Sequence, residues 1–171
     1  MRTRELVLLV FALAAVGLAV WRPAGVGPRS GTGLPGAGGP AVVTRVVDGD
    51  TVHVSVAGRD ETVRYIGIDT PESVKPGVAV QCFAKAASAA NERLVAGERV
   101  RLSLDAEPRD RYGRLLAYVY RARDGTFVNA ELVREGYART LTIPPNVRYA
   151  ARLASLARRA REALRGLWRA C

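Results

Sequence analysis

The chain has 171 residues, 49% of them hydrophobic, which is enough for one cored domain plus an appendage but not for several domains. Its formal net charge is +10, and Lys75 and Lys85 are the only lysines, so the basic load is almost wholly arginine and suits a polyanion: nucleic acid, anionic membrane or wall polymer. The two cysteines, Cys82 and Cys171, lie too far apart to form a zinc motif.

Arg2 and Arg4 precede an uncharged apolar run, Leu6–Val20. The pattern predicts a signal peptide or signal anchor over residues 1–21. In one form Gly17-Leu18-Ala19 is a cleavage site; in the other Trp21 anchors a short uncleaved segment. Both place the remainder outside the cytoplasm, secreted or held at the outer face of the membrane. Residues 22–40 are mostly Gly, Pro and small residues and read as a flexible linker to a domain over 41–171. In an exported chain Cys82 and Cys171 would form a disulfide; otherwise they are two unrelated buried thiols.

Ala41–Val47 and Thr51–Val56 read as strands joined by Asp48-Gly49-Asp50. Val52, Val54 and Val56 alternate with Thr51, His53 and Ser55, which puts His53, the sole histidine, on the polar face as a surface residue. Glu61–Ile68 is a third strand. Ser73–Gln81 contains Lys75-Pro76-Gly77 and is a loop, either a flap or a plain connector. Cys82–Ala96 is helical, with Phe83, Ala86, Ala90 and Leu94 on one face, and Gly97 ends it. Arg99–Leu104 and Arg114–Tyr120 are the fourth and fifth strands, separated by the charged loop Asp105–Gly113. A helix from Val128 to Glu135 ends at Gly136. Leu141–Val147 is irregular around Pro144-Pro145. The last helix, Arg148–Trp168, buries Leu153, Leu156, Ala160, Leu164 and Leu167. The elements predict an α+β fold: a five-stranded β-barrel with three helices.

The chemistry gathers around Arg64-Tyr65-Ile66-Gly67-Ile68-Asp69-Thr70-Pro71-Glu72. Pro71 cannot join a ladder, so the strand ends in two carboxylates and a hydroxyl. Arg64 and Asp69 are an odd number of residues apart, so a regular strand would point them to opposite faces; bringing them together requires a twist, a bulge near Gly67, or a curved barrel wall. Asp48-Gly49-Asp50 adds two carboxylates, and Asp110-Arg111-Tyr112-Gly113-Arg114 adds two arginines beside an aromatic. A hard cation and guanidinium groups together can hold a phosphate while a carboxylate activates water.

The ordered set Asp48-Gly49-Asp50-Thr51, Arg64, Asp69-Thr70-Pro71-Glu72, Tyr112-Gly113-Arg114, Val128-Asn129 and Gly166-Leu167-Trp168 resembles the staphylococcal nuclease (thermonuclease) family, from about Val43 to Trp168. The resemblance implies an OB-fold barrel, a single Ca2+ bound by Asp50, Asp69 and the backbone carbonyl of Thr70, and a monomeric enzyme acting on DNA or RNA. It implies that Glu72 positions or activates the attacking water and that Arg64 and Arg114 grip the scissile phosphate. Asp110, Arg111 and Tyr112 fall at the nucleotide pocket. The implied reaction is hydrolysis of the 5′ P–O bond, giving 3′-phosphates. The family's second pocket aromatic, expected near Leu141–Thr142, is missing, which implies weaker binding or a shifted sequence preference. The alternatives are a non-catalytic OB-fold module that binds nucleic acid at the cell envelope and an envelope structural protein. The latter leaves the acidic residues unexplained.

Overall fold

The computed structural model describes residues 40–73, 77 and 79–171, all within the unit Gly33–Cys171. The expected signal or anchor over 1–21, the linker up to residue 39, and Lys75 and Pro76 of the expected loop lie outside the described residues. Pro40, assigned to the linker from the sequence, is instead the first residue of β1.

Five strands close a barrel in the order β1-β2-β3-β6-β5: β1 (Pro40–Val46), β2 (Thr51–Val56), β3 (Arg59–Tyr65), β5 (Arg99–Ser103) and β6 (Leu115–Arg121). All neighbouring pairs are antiparallel except β3 and β6, which run parallel. The inward-facing Val43, Val52, Val54, Val63, Val100, Leu102, Leu115 and Val119 are buried, as alternation along half-buried strands requires. This is the five-stranded α+β barrel that the sequence predicts.

The third predicted strand is two elements. β3 stops at Tyr65, and β4 (Gly67–Asp69) pairs with β7 (Arg139–Leu141) in a separate two-stranded sheet. The break sits at Gly67, whose φ of 81° no β-branched residue adopts readily. Leu153 packs so closely that a Cβ at this position would meet its Cδ1 at 2.5 Å.

The helices are α1 (Ala84–Val95), α2 (Val128–Arg134), α3 (Ala150–Glu162) and the short α4 (Leu167–Ala170). The α1 face differs from the expected one: Ala84, Ala87, Ala90, Asn91 and Val95 are buried, and Phe83, at φ 69°, precedes the helix and stacks on Tyr137 at 5.6 Å. Alanines let the helix approach the barrel closely, which brings Asn91 into the core. The single final helix expected over Arg148–Trp168 is broken where Leu164 and Gly166 take positive φ, and Leu164 is 59% exposed rather than part of the buried stripe. His53 is half-buried: Arg45 Nη2 donates to its Nε2 at 2.6 Å, and Thr62 Oγ1 lies 3.2 Å from its Nδ1. A Cys82–Cys171 disulfide ties the start of α1 to the end of α4, with Cα atoms 6.0 Å apart. Among the described residues no helix is long and apolar enough to cross a membrane.

Candidate active site

The barrel register sets the first contacts. Thr51 of β2 lies opposite Arg64 of β3, so the turn before β2 delivers Asp50 to the Arg64 side chain. Arg64 Nε meets Asp50 Oδ1 at 3.1 Å and its Nη2 meets Asp69 Oδ1 at 2.9 Å. Its Nη1 donates to the carbonyls of Tyr65 and Ile68, at 3.1 and 2.9 Å. The strand break at Gly67 makes this possible by folding Ile68 and Asp69 back toward the arginine that precedes them. One guanidinium thus binds two carboxylates and both sides of the break.

Asp50 is 4% exposed. Its Oδ2 accepts from the Thr70 amide (2.8 Å) and hydroxyl (2.9 Å), and its Oδ1 accepts from the Thr51 hydroxyl at 3.1 Å. With the Arg64 contact, these bonds occupy the acceptor capacity of a carboxylate, as burial of its charge demands. Thr70 sits close over Gly49; a Cβ there would meet Thr70 Cγ2 at 2.7 Å, so the turn needs glycine for approach rather than for φ.

Two buried asparagines brace this arrangement. Asn91 of α1 accepts from the Tyr65 hydroxyl (3.0 Å) and donates to the Asp48 carbonyl (2.8 Å), pinning the acidic turn to the barrel floor. Asn129 of α2 accepts from the Val119 amide (2.9 Å) and donates to the Ile66 carbonyl (2.8 Å), so it satisfies the backbone at the strand break. The sequence marks Asn129 as a polar residue opening a helix and as part of the family's motif set, but not as a brace for the backbone. Asn91 carries no signal beyond interrupting an alanine-rich run.

Burial raises the Asp69 carboxyl above its usual range, as do the charges of Asp50 and Glu72, against the opposing pull of Arg64 and Arg139. Glu72 therefore stands within electrostatic reach of Asp69. Its amide donates to Gln81 Oε1 at 2.9 Å. Arg139, across the β4–β7 ladder from Asp69, was not singled out from the sequence; it lies in a three-residue strand that has no readable period.

Arg64 also lines a cleft of about 470 Å³ shared with Asp110, Arg111, Tyr112 and Arg114. Asp110 organises this loop. Its Oδ1 accepts from the amides of Tyr112 and Arg114, both at 3.0 Å, and its Oδ2 accepts from Arg114 Nε at 2.7 Å. Burial pushes its carboxyl up, but these bonds and the Arg114 charge outweigh it and hold the carboxyl below the usual range. Arg109 clamps the loop from below with a two-pronged pair to Glu61 (2.7 and 2.8 Å) and a bond to the Gly113 carbonyl (2.8 Å). Tyr112 is 69% exposed, with Arg111 bonded to its hydroxyl at 2.7 Å and stacked on its ring. The cleft is also lined by Leu141 and Ile143, aliphatic and exposed, in the segment where the family resemblance implies an aromatic.

Among the described residues no group of three or more His, Cys, Asp or Glu side chains is arranged to hold a metal. The candidate set is two carboxylates and a carbonyl. All are oxygen donors, which fits a hard cation in donor type, and an ion held by Asp50 would have to replace one of the contacts that fill its carboxylate here.

The staphylococcal nuclease homologue family model matches residues 62–170. The chain is 39% identical over 160 residues to the thermonuclease of Staphylococcus intermedius, covering 94% of both chains. It is 36% identical over 162 residues to the thermonuclease of Staphylococcus hyicus, covering 94% of this chain and 95% of that one. This chain belongs to the staphylococcal nuclease family. The endonuclease YncB of Bacillus subtilis is 45% identical over 107 residues, 61% of this chain and 50% of that protein. The barrel is accordingly the family's OB-fold, and the protein is a nuclease, a hydrolase acting on nucleic acid. This sets aside the non-catalytic module and the envelope structural protein. In this staphylococcal nuclease relative Arg64, which binds Asp50 and Asp69, lines one cleft with the Tyr112 loop, whereas Asp50, Asp69, Thr70 and Glu72 are not among the residues lining it.

Proposed function

We propose that this nuclease hydrolyses phosphodiester bonds of DNA or RNA with the help of calcium, cutting the 5′ P–O bond to leave 3′-phosphates. The observation that carries the reading is Arg64: its guanidinium joins Asp50 and Asp69 while forming part of the same cleft as Arg114. Asp50, Asp69 and the Thr70 carbonyl would hold the ion. When bound, such an ion polarises a phosphoryl oxygen and makes nearby water more acidic. Three protein ligands leave at least half of the six to eight positions of calcium to water and substrate, so binding is weak and suited to calcium-rich surroundings.

Glu72 takes a proton from the water that attacks phosphorus. Arg64 and Arg114 meet the charge that accumulates on the phosphoryl oxygens, and one of them hydrogen-bonds the departing 5′ oxygen. Asp110 aims Arg114 and holds Tyr112 and Arg111 toward the nucleotide, so its contribution to substrate binding is orientation. The protein is exported as a monomer, secreted or anchored through residues 6–21. The arginine-flanked apolar run and the disulfide both support that compartment.

The test is cleavage of DNA and of RNA by the full chain with calcium and with excess chelator, with the product ends identified. Chelation is expected to stop cleavage, and the ends to be 3′-phosphate and 5′-hydroxyl. Glu72→Gln and Arg114→Ala should each lower turnover by about a hundredfold or more. Undiminished cleavage in chelator rejects the metal assignment; near wild-type turnover in both variants rejects the residue roles.

A further inference from the structure

The chain leaves the site at Glu72 and returns at Gln81. Two hydrogen bonds close the excursion: the Glu72 amide donates to Gln81 Oε1 at 2.9 Å, and the Gln81 amide donates to the Glu72 carbonyl at 3.0 Å. Both backbone groups of Glu72 are therefore held by one residue, as a ladder partner would hold them. Gln81 is itself anchored. Its carbonyl accepts from the Ala84 amide at 3.1 Å at the entry to α1, and the adjacent Cys82 is bonded to Cys171. On the other side Pro71 limits the backbone leading into Glu72. The carboxylate of Glu72 is thus carried by a main chain fixed at both ends.

We propose that Gln81 is a positioning residue for Glu72, a claim that rests on Glu72 being the group that activates water. Gln81 does not touch substrate in this scheme. Its amide oxygen fixes the Glu72 backbone, so that the carboxylate is presented beside Asp69 and the attacking water. Displacing a reacting group by about 1 Å costs as much as about a hundredfold in rate. Loss of the Gln81 side chain removes one of the two closing bonds and leaves the fold, the cleft and both arginines in place. Its signature is therefore in turnover, with substrate binding and stability little changed.

The experiment is steady-state DNA cleavage at saturating calcium by the full chain and four variants: Gln81→Ala, Gln81→Glu, Glu72→Gln and the double variant Glu72→Gln/Gln81→Ala. Gln81→Ala should lower kcat about tenfold or more while KM stays within about twofold. Gln81→Glu keeps an acceptor oxygen at the same place and should recover most of that loss. Because Gln81 acts through Glu72, adding Gln81→Ala to Glu72→Gln should cost less than about a further twofold. An unchanged kcat in Gln81→Ala overturns the proposal, and so does an equal loss with and without Glu72, which would mark a general structural effect. Wild-type turnover in Glu72→Gln alone overturns the reading beneath it, and the proposal falls with that reading.

Discussion

Burial and the neighbouring Asp50 charge push the Asp48 carboxyl up from 3.8 to about 6, although it receives a hydrogen bond from the Asp50 amide at 3.0 Å. A folded-state value above the unfolded one means the fold favours the protonated acid. The stabilisation is complete below pH 3.8 and is lost as pH rises through about 6. Asp48→Asn keeps an acceptor oxygen without the charge, so it should raise the melting temperature at pH 8 and change it little at pH 4. An equal effect at both pH values would show that ionisation is not the cause. The cleft offers a second test at this scale. Tyr112 shares its cleft with the aliphatic Leu141 and Ile143, and stacking on an aromatic is worth roughly 1–3 kcal/mol per base. Leu141→Tyr should therefore lower KM for DNA about tenfold with kcat nearly unchanged. An unchanged KM would mean that bases do not lie against this wall.

At the scale of elements, the site depends on a strand that stops. The sequence poses the difficulty plainly: Arg64 and Asp69 belong on opposite faces of a continuous strand. Gly67 removes it, at φ 81°, and Asn129 satisfies the opened backbone through the Ile66 carbonyl. Gly67→Ala puts a Cβ in a left-handed conformation and against Leu153. It should cost about 2 kcal/mol or more in urea unfolding, and lower turnover beyond the stability loss by separating Asp69 from Arg64. Stability and turnover both close to wild type would mean the break does not depend on glycine. The isolated glycine in a strand pattern was legible as one place for a bulge, but not as the end of β3. The β7 partner was not, because three residues of mixed character have no period and pair only through tertiary contact.

For the whole molecule, the disulfide links residues 89 apart in sequence and ties α1 to the end of the chain. Closing a loop of that length restricts the unfolded chain by roughly 4–5 kcal/mol on the chain-entropy argument. Reduction, or Cys171→Ser, should lower the melting temperature by several degrees in the absence of substrate. Unchanged melting on full reduction would show that the bond constrains little. The closed loop takes in every element from α1 to α4, so its effect belongs to global unfolding rather than to one element.

Much of this protein is written locally. Valine alternation marks the barrel strands, Asp-Gly-Asp marks the acidic turn, and Pro71 ends the strand, because each depends on the preferences of a few neighbouring residues. The motif order likewise marks the family. What the chain alone leaves open is convergence. Asp50 and Asp69 meet on Arg64 through the β2–β3 register and the Gly67 break. Asn91 and Asn129 become braces only when their helices pack against the barrel. The α1 face and the end of the last helix were displaced from their periodic expectation by close alanine packing and by positive φ at Leu164 and Gly166. These are long-range contacts between segments with no local preference for one another, and only burial in a shared core decides them.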